Sequence, residues 1–347
     1  MSDVFILGAG FSKAVSEHMP VLTELSRDVV ARLAGRESTK TVSKNLCVAF
    51  PDNIELWMTY LSQRHPWLSE AENSRNRATF LDMLWDINDV LFIKLSQATS
   101  VDCPEWFVNL AQKWCDNGVA VITLNYDTLV ERCACEFVKV TTTILKATHP
   151  TKLLCDDLYP IPLTNIAHRT TGMSAHPQPH KRFDLFKLHG STNWFYSGAD
   201  SPHGETLYYS SANTWKLADH ERGPRNKFVI DKVPFIVPPL TEKMPFFRHE
   251  TVRSLWRQAA MAVHSAERIF VMGYSLPQTD LTMRYFLASN CRFSEQKIYV
   301  ADINGAVIEN FRFRSVVDKK VYQPDASFAG RLDAIPALAQ ALVSKIL

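Results

Sequence analysis

Three short segments carry residue types that can act on one ligand: Gly8-Ala9-Gly10-Phe11-Ser12, Leu124-Asn125-Tyr126-Asp127 and Leu188-His189-Gly190-Ser191. Each follows an apolar, β-like run, so each is expected at the end of a strand. A Gly-x-Gly pair lets main chain come close to a pyrophosphate, and Ser12 with nearby backbone amides can donate to its oxygens. The same glycines suit an ordinary strand-loop-helix turn. Lys13 stands where the third glycine of the dinucleotide fingerprint would be, and the Gly-Lys-Ser/Thr of a P-loop is absent at the required spacing. Asn125 and Asp127, two apart, can point the same way into a cleft, the amide binding a carboxamide or orienting water. They can equally form an Asx turn that caps a helix starting near Thr128.

Of the 11 histidines, His189 is the best placed for acid–base work near neutral pH, because it ends a strand and precedes Gly190. That arrangement can leave the imidazole exposed, or the ring can simply satisfy local backbone groups. Two further apolar runs end in Gly273-Tyr274-Ser275-Leu276-Pro277 and in Asp302 with Asn304. These fit the ribose or adenine half of a ligand, or a pair of turns with helix caps at Asp280 and Asn304. Together the polar strand ends point to a dinucleotide. A metal is not expected. His149, His168, His176 and His180 have no Glu or Cys at a ligand spacing, and the seven cysteines, Cys47, Cys103, Cys115, Cys133, Cys135, Cys155 and Cys291, include no Cys-x-x-Cys. They read as small buried hydrophobes.

The elements that would hold these residues follow from periodicity. Val4 to Leu7 is a strand, Gly8 to Ser12 a tight turn, and Lys13 to Pro20 a polar segment. Helices are expected from about Leu22 to Leu33, Asn53 to Gln63, Thr79 to Ser96 and Phe107 to Trp114. So many helices before the next strand exceed what a plain βαβ crossover needs, so residues 25–105 are read as a helical insertion. Val119 to Thr123 is a strand, Asp127 to Cys135 opens a helix, Val138 to Leu145 is β-branched, and Thr148 to Lys181 reads as a long loop or lid. Phe183 to Leu188 is the next strand. Short strands are possible at Thr206 to Tyr209 and Phe228 to Ile230, in an otherwise polar stretch. Helix Pro245–Ser265, strand Ile269–Met272, helix Leu281–Ala288, strand Lys297–Ala301 and helix Ala306–Phe313 follow, and Leu332 to Ser344 closes the chain as a helix. Four or more apolar strands alternating with helices indicate an α/β fold with a parallel doubly wound sheet, and its ligand belongs beyond the carboxyl ends of the strands.

Composition narrows the function classes. With 347 residues, 46% of them hydrophobic and 21% charged, the chain can bury a sizeable core. A formal net charge of +2 gives no global footprint for nucleic acid or for an acidic membrane surface. No apolar run approaches a membrane span. Met1 to Leu7 has no basic n-region and reads as a buried first strand, so a cytoplasmic location is expected.

The order Gly-Ala-Gly-Phe-Ser, Thr-Leu-Asn-Tyr-Asp-Thr, Lys-Leu-His-Gly-Ser and Gly-Tyr-Ser-Leu, spread from Met1 to about Asn304, resembles the sirtuin-like NAD-consuming family. More closely, it is similar to the bacterial sirtuin-like domains that hydrolyse NAD in anti-phage defence. The resemblance implies one Rossmann-like, sirtuin-like NAD-binding catalytic domain over 1–347, with the helical insertion at about 25–105 and a C-terminal tail at about 315–347. It implies that Gly8, Ala9, Gly10 and Ser12, with Phe11 in the same segment, meet the pyrophosphate. Asn125 and Asp127 would hold the nicotinamide-ribose region, and His189 would be the catalytic base. Gly273 and Ser275 would approach the phosphates or adjoining ribose, and Asp302 and Asn304 the adenosine ribose. Protein-deacylating sirtuins carry a four-cysteine zinc ribbon, whereas this chain has no cysteine between Cys155 and Cys291, and their Gln-Asn-Ile-Asp motif is here Leu-Asn-Tyr-Asp. The resemblance therefore implies an NAD+ glycohydrolase without zinc, releasing nicotinamide and ADP-ribose, before it implies a deacylase.

Control by homo-oligomerisation, or by a separately encoded ATPase or nucleic-acid-guided regulator, goes with that family, with no direct nucleic-acid or membrane binding. Two rivals stand beside it. One is a regulatory subunit that binds NAD or ADP-ribose without turnover. The other is a Rossmann dehydrogenase, whose acidic ribose ligand Glu24 and Asp28 match only loosely.

Overall fold

A computed structural model describes residues 2–36, 39, 42, 44, 46, 53–144, 147–166, 179, 181–198, 205–211, 214–216, 231–240, 247–292, 295–312 and 323–347. In chain order its elements are β1 (Asp3–Leu7), α1 (Ala9–Val15), α2 (Leu22–Ala34), α3 (Ile54–Ser62), α4 (Glu70–Ala98), α5 (Glu105–Asn117), β2 (Ala120–Thr123) and α6 (Leu129–Phe137). Then come β3 (Val140–Ile144), β4 (Ala147–Thr151), α7 (Cys155–Leu158), β5 (Thr164–Asn165), β6 (Asp184–Lys187), β7 (Gly190–Tyr196), β8 (Tyr208–Tyr209) and β9 (Val233–Ile236). The last are α8 (Glu250–Ser265), β10 (Arg268–Met272), α9 (Leu281–Asn290), β11 (Lys297–Asp302), a 3-10 helix (Gly305–Phe311), β12 (Asp325–Ala329) and α10 (Ala334–Val343).

Six strands form the main sheet in the order β12-β11-β10-β1-β2-β6, and all five pairings are parallel. The chain starts at the centre, steps outward through β2 to β6, then crosses back to lay down β10, β11 and β12 on the other side. This is the 3-2-1-4-5-6 order of doubly wound dinucleotide-binding sheets, and the winding reverses between β1 and β10. The sequences fit. β1 is buried throughout and β10 in all but its first residue, as strands covered on both faces must be.

Register aligns the candidate segments. Leu7 pairs with Thr123 and with Met272, Thr123 pairs with Lys187, and Met272 pairs with Ala301. Gly8, Leu124, Leu188 and Gly273 therefore leave the sheet at one level, that of Asp302 at the end of β11. At a strand spacing of about 4.8 Å, β6 to β11 covers roughly 19 Å.

Two apolar clusters support this edge. The larger wraps the sheet and includes ring contacts such as Phe5 on Phe270 (4.9 Å between centroids) and Phe270 on Tyr299 (5.1 Å). The smaller lies in the helical insertion, where Val29, Leu33, Trp57, Met83, Ile87 and Leu91 close on one another and on Ile236 and Leu240, with Tyr126 packed against them. The insertion is thus seated on the segment that carries Asn125.

Several expectations change. Ala9 to Val15 is helical, where a tight turn was expected over Gly8 to Ser12. α4 begins at Glu70 and not near Thr79, because Ser69 and Glu72 form a reciprocal capping box and the first turns are too polar to show an apolar stripe. The tail contributes a sheet strand, β12, hidden by its largely exposed Asp-Ala-Ser-Phe-Ala sequence. β7 and β9 were not foreseen. They belong to a mixed sheet, β5-β8-β7-β9, in which β7 pairs antiparallel with β8 and β9 and β5 pairs parallel with β8, and β7 follows His189 directly. The stretch read as a long loop holds most of β4, all of α7 and β5. Within it His168, His176 and His180, and elsewhere the expected strand at Phe228 to Ile230, Pro245 and Cys47, lie outside the described residues.

Candidate functional site

At the point where the winding reverses, two loops meet backbone to backbone. Gly10 N donates to Gly273 O (2.9 Å), Gly8 N to Met272 O (3.1 Å), and Gly273 N to Ala301 O (2.8 Å). Gly273 has φ +65°, and a Cβ there would sit 2.2 Å from Phe11 N; a Cβ on Gly8 would sit 2.5 Å from Gly273 O. Only glycine fits such a corner. The Gly-x-Gly signal is thereby explained by loop packing within the protein, and the Gly10 amide is committed to Gly273 instead of facing outward. Phe11 N is likewise bonded, to Gly8 O at 2.9 Å.

Beside this corner the first two segments are brought together by a directional chain. Ser12 Oγ donates to Asp127 Oδ2 (2.6 Å), and Asn125 Nδ2 donates to Ser12 Oγ (2.9 Å) and to Gly8 O (2.8 Å). An ionised carboxylate can only accept, so the Ser12 hydroxyl proton must point at Asp127 and its lone pair must take the Asn125 amide. The Gly8 carbonyl demands the same end of that amide. Asn125 is therefore held with its NH2 toward the protein, and its Oδ1 accepts no hydrogen bond among the described residues. Asp127 Oδ1 accepts from Leu129 N (3.0 Å), the Asx turn at the start of α6. Both carboxylate oxygens are used structurally, which gives Asp127 the capping role weighed for it in the sequence.

The rest of the segment is pinned as well. Tyr126 OH donates to Val237 O (2.8 Å), and Thr192 N donates to Tyr126 O (2.9 Å). Lys187, fully buried, donates to the Asp127 carbonyl and to Glu131 Oε1 (2.9 Å), which also accepts from Tyr159 OH (3.1 Å). Lys187, Glu131 and Tyr159 were missed as site residues. The available signal was a lysine in an otherwise apolar strand end, which sequence alone cannot tell from a solvent-facing one.

His189 lies one level beyond Leu188, next along the sheet from Asn125. The imidazole is 6% exposed, not exposed as its loop position allowed. Two features bury it. Gly190 turns the chain straight into β7 at φ +78°, where a Cβ would meet Phe235 O at 2.1 Å, and His189 O accepts from Val237 N (2.8 Å), so β9 closes over it. Trp256 of α8 flanks the ring at 6.4 Å, and that indole is in turn fixed by Phe247 and Phe286, each at 5.2 Å.

The other half of the edge is built from turns. Asp302 Oδ1 accepts from Asn304 N (2.9 Å), and Asn304 Oδ1 accepts from Ala306 N (3.0 Å), capping the 3-10 helix. Burial pushes the Asp302 carboxyl above its ordinary range, opposed by that Asn304 N–H. Ser275 is exposed and uses its carbonyl to hold Asn310 Nδ2 (2.9 Å). Tyr274 OH donates to Asp280 Oδ2 (2.7 Å), and burial, reinforced by Asp280, keeps the phenol protonated. Gly273, Ser275, Asp302 and Asn304 thus share the sheet edge with Asn125 and His189, and Asn304 takes the cap position foreseen for it.

Among the described residues no group of three or more His, Cys, Asp or Glu is placed to hold a metal, and no helix is long and apolar enough to cross a membrane. No family model matches the chain, and no curated protein matches it. Similarity is found to solved Sir2 structures. A Sir2 homolog–NAD complex is 12% identical with a TM-score of 0.44, the alignment covering 99% of this chain and 90% of that one. A structure from work on the mechanism and regulation of Sir2 enzymes is 13% identical with a TM-score of 0.40 (99% and 92%). One from work on sirtuin substrate affinity is 14% identical with a TM-score of 0.38 (99% and 92%).

Proposed function

We propose that the protein is an NAD+ glycohydrolase that cleaves the bond between nicotinamide and ribose. The observation that carries this reading is the fixed orientation of Asn125, whose Oδ1 accepts no hydrogen bond among the described residues, at the carboxyl edge of a doubly wound sheet beside the reversal point where such sheets bind dinucleotides. Nicotinamide departs from an oxocarbenium-like centre as a neutral pyridine, so no general acid is needed to protonate it. What the reaction needs is a held ribose, a placed water and a base. Asn125 Oδ1 would accept from the water or from a ribose hydroxyl, and His189 would take the water's proton directly or through that hydroxyl. The products would be nicotinamide and ADP-ribose. The motif order supports this chemistry over deacylation, since Leu-Asn-Tyr-Asp replaces Gln-Asn-Ile-Asp and no cysteine stands between Cys155 and Cys291, where a zinc ribbon would follow the His-Gly motif.

In the cell, the proposed role is a cytoplasmic defence effector that depletes NAD on phage infection, held silent by self-association or by a separately encoded ATPase or nucleic-acid-guided regulator. A second reading, a subunit that binds NAD or ADP-ribose without turnover, is favoured by one observation, the burial of the His189 imidazole. Incubation with NAD, alone and with the products of neighbouring genes, separates the two when nicotinamide release is followed for wild type, Asn125→Ala and His189→Ala. Release by wild type and its loss in both variants is expected. Equal release by all three rejects the assigned chemistry, and saturable binding without release under every condition selects the second reading.

A further inference from the structure

Lys187 is the last residue of β6, its side chain is fully buried, and its neighbours along the strand are Leu185, Phe186 and Leu188. A buried ion pair is a weak source of stability, and an apolar residue of similar volume often serves as well. The groups that Lys187 holds point to another use. In α6 the cap is Thr128, whose carbonyl already accepts from Arg132 N (2.9 Å), so the Asp127 carbonyl lies outside the helical ladder. Lys187 Nζ supplies its donor. A cation at a helix N-terminus opposes the helix dipole, and Glu131 in the first turn offsets it at 2.9 Å, itself fixed by Tyr159 OH at 3.1 Å. The result is a cross-link between two strand ends. Lys187 stands two residues before His189, and the carbonyl it holds is two residues after Asn125.

We propose that Lys187 is a positioning residue that locks the Asn125–Asp127 segment to the strand bearing His189, so that the Asn125 acceptor and the imidazole keep one separation. It acts through the Asp127 carbonyl and touches no substrate. This rests on the glycohydrolase reading for its catalytic consequence, though not for its structural one.

The test uses the full chain with Lys187→Met, Glu131→Gln and the double variant. Lys187→Met alone leaves the Glu131 carboxylate buried beside Tyr159 without its cation and can fail to fold. The double variant removes both charges, keeps an acceptor for Tyr159, and still leaves the Asp127 carbonyl without its donor. Hydrogen exchange of residues 124–131 is expected to speed up about tenfold or more in the double variant, with β1 and β10 unchanged. Its kcat for nicotinamide release should fall about 30-fold with KM for NAD within about threefold, because misplacement affects the reacting geometry more than binding. With Asn125→Ala added, the combined variant should be no slower than Asn125→Ala alone. Unchanged exchange in 124–131 overturns the proposal, as does an unchanged kcat in the double variant when the wild type turns over NAD. Faster exchange in a chain whose wild type releases no nicotinamide upholds the cross-link and removes the glycohydrolase reading instead.

Discussion

Ser12→Ala separates two roles that sequence patterns cannot tell apart. As a pyrophosphate ligand, Ser12 would contribute to binding, and its loss would raise KM and weaken ADP-ribose with little change in kcat. The structure makes it the middle of a relay, donating to Asp127 Oδ2 at 2.6 Å and accepting from Asn125 Nδ2 at 2.9 Å. A bond to a charged partner contributes about 1.5–3 kcal/mol and a neutral one about 0.5–1.5 kcal/mol. They share one oxygen and do not simply add, so the variant should lose about 2–4 kcal/mol of stability. Asn125 keeps its bond to Gly8 O and with it the sense of its amide, but loses the contact that fixes its tilt. A misplacement on the order of 1 Å costs up to about 100-fold, so kcat should drop about 10- to 100-fold. Urea unfolding gives the first quantity and steady-state nicotinamide release the second, with Asn125→Ala and the Ser12→Ala/Asn125→Ala pair completing a cycle. The double variant should be no slower than Asn125→Ala alone. Unchanged stability with a raised KM, or additive losses in kcat, refutes the relay.

Other outcomes follow from burial and close approach. Gly273→Ala forces a Cβ to within 2.2 Å of Phe11 N at φ +65°, so beyond the roughly 1–2 kcal/mol cost of the left-handed conformation the two loops must part; soluble yield and urea midpoint should fall together, and a wild-type midpoint would contradict the corner. Asp86 is buried under Arg36 and Arg32, and burial outweighs both in raising its carboxyl above the ordinary range. The folded state then holds a proton that the unfolded state releases, so between the ordinary carboxylate value and the raised one stability should decline as pH rises; Asp86→Asn should flatten that slope in urea midpoints from about pH 4 to 7, and parallel slopes would count against it. Among the described cysteines only Cys103 is partly exposed, while burial pushes Cys291 up to about 12 and, with Asp116, Cys115 up to about 11. Iodoacetamide at pH 8 should therefore label Cys103 before Cys115 and Cys291, and early labelling of either of those two would show that their burial is wrong.

Where the apolar code is strong, the sequence was legible. Val4–Leu7, Val119–Thr123, Phe183–Leu188, Ile269–Met272 and Lys297–Ala301 each gave a strand within a residue or so of the observed one, because strands covered on both faces must be mostly apolar. β12 failed for the opposite reason: at the sheet edge its first three residues are exposed, and Asp-Ala-Ser-Phe-Ala carries no such signature. β7 was overlooked because Gly190 reads as punctuation, while in the structure its positive φ is what lets the strand restart immediately beside Phe235. The polar first turns of α4 hid nine residues of helix that its capping box declares.

The site was legible as a set of positions and only partly as a set of roles. A polar residue at a strand end can serve the ligand or the fold, and the segments here divide those duties. Asp127 spends both oxygens on Ser12 and Leu129, Gly10 spends its amide on Gly273, and Asn304 spends its side chain on a cap. These expenditures decide what remains for chemistry. The carboxylate sets the direction of the Ser12 hydroxyl, the hydroxyl and the Gly8 carbonyl set the direction of the Asn125 amide, and so which Asn125 atom is left as an acceptor is dictated before any ligand arrives. Preorganisation of that kind removes an orientational choice that water or ribose would otherwise have to enforce. On the glycohydrolase reading, Asp127 therefore contributes to the site through Asn125, by fixing which of its atoms can meet the substrate.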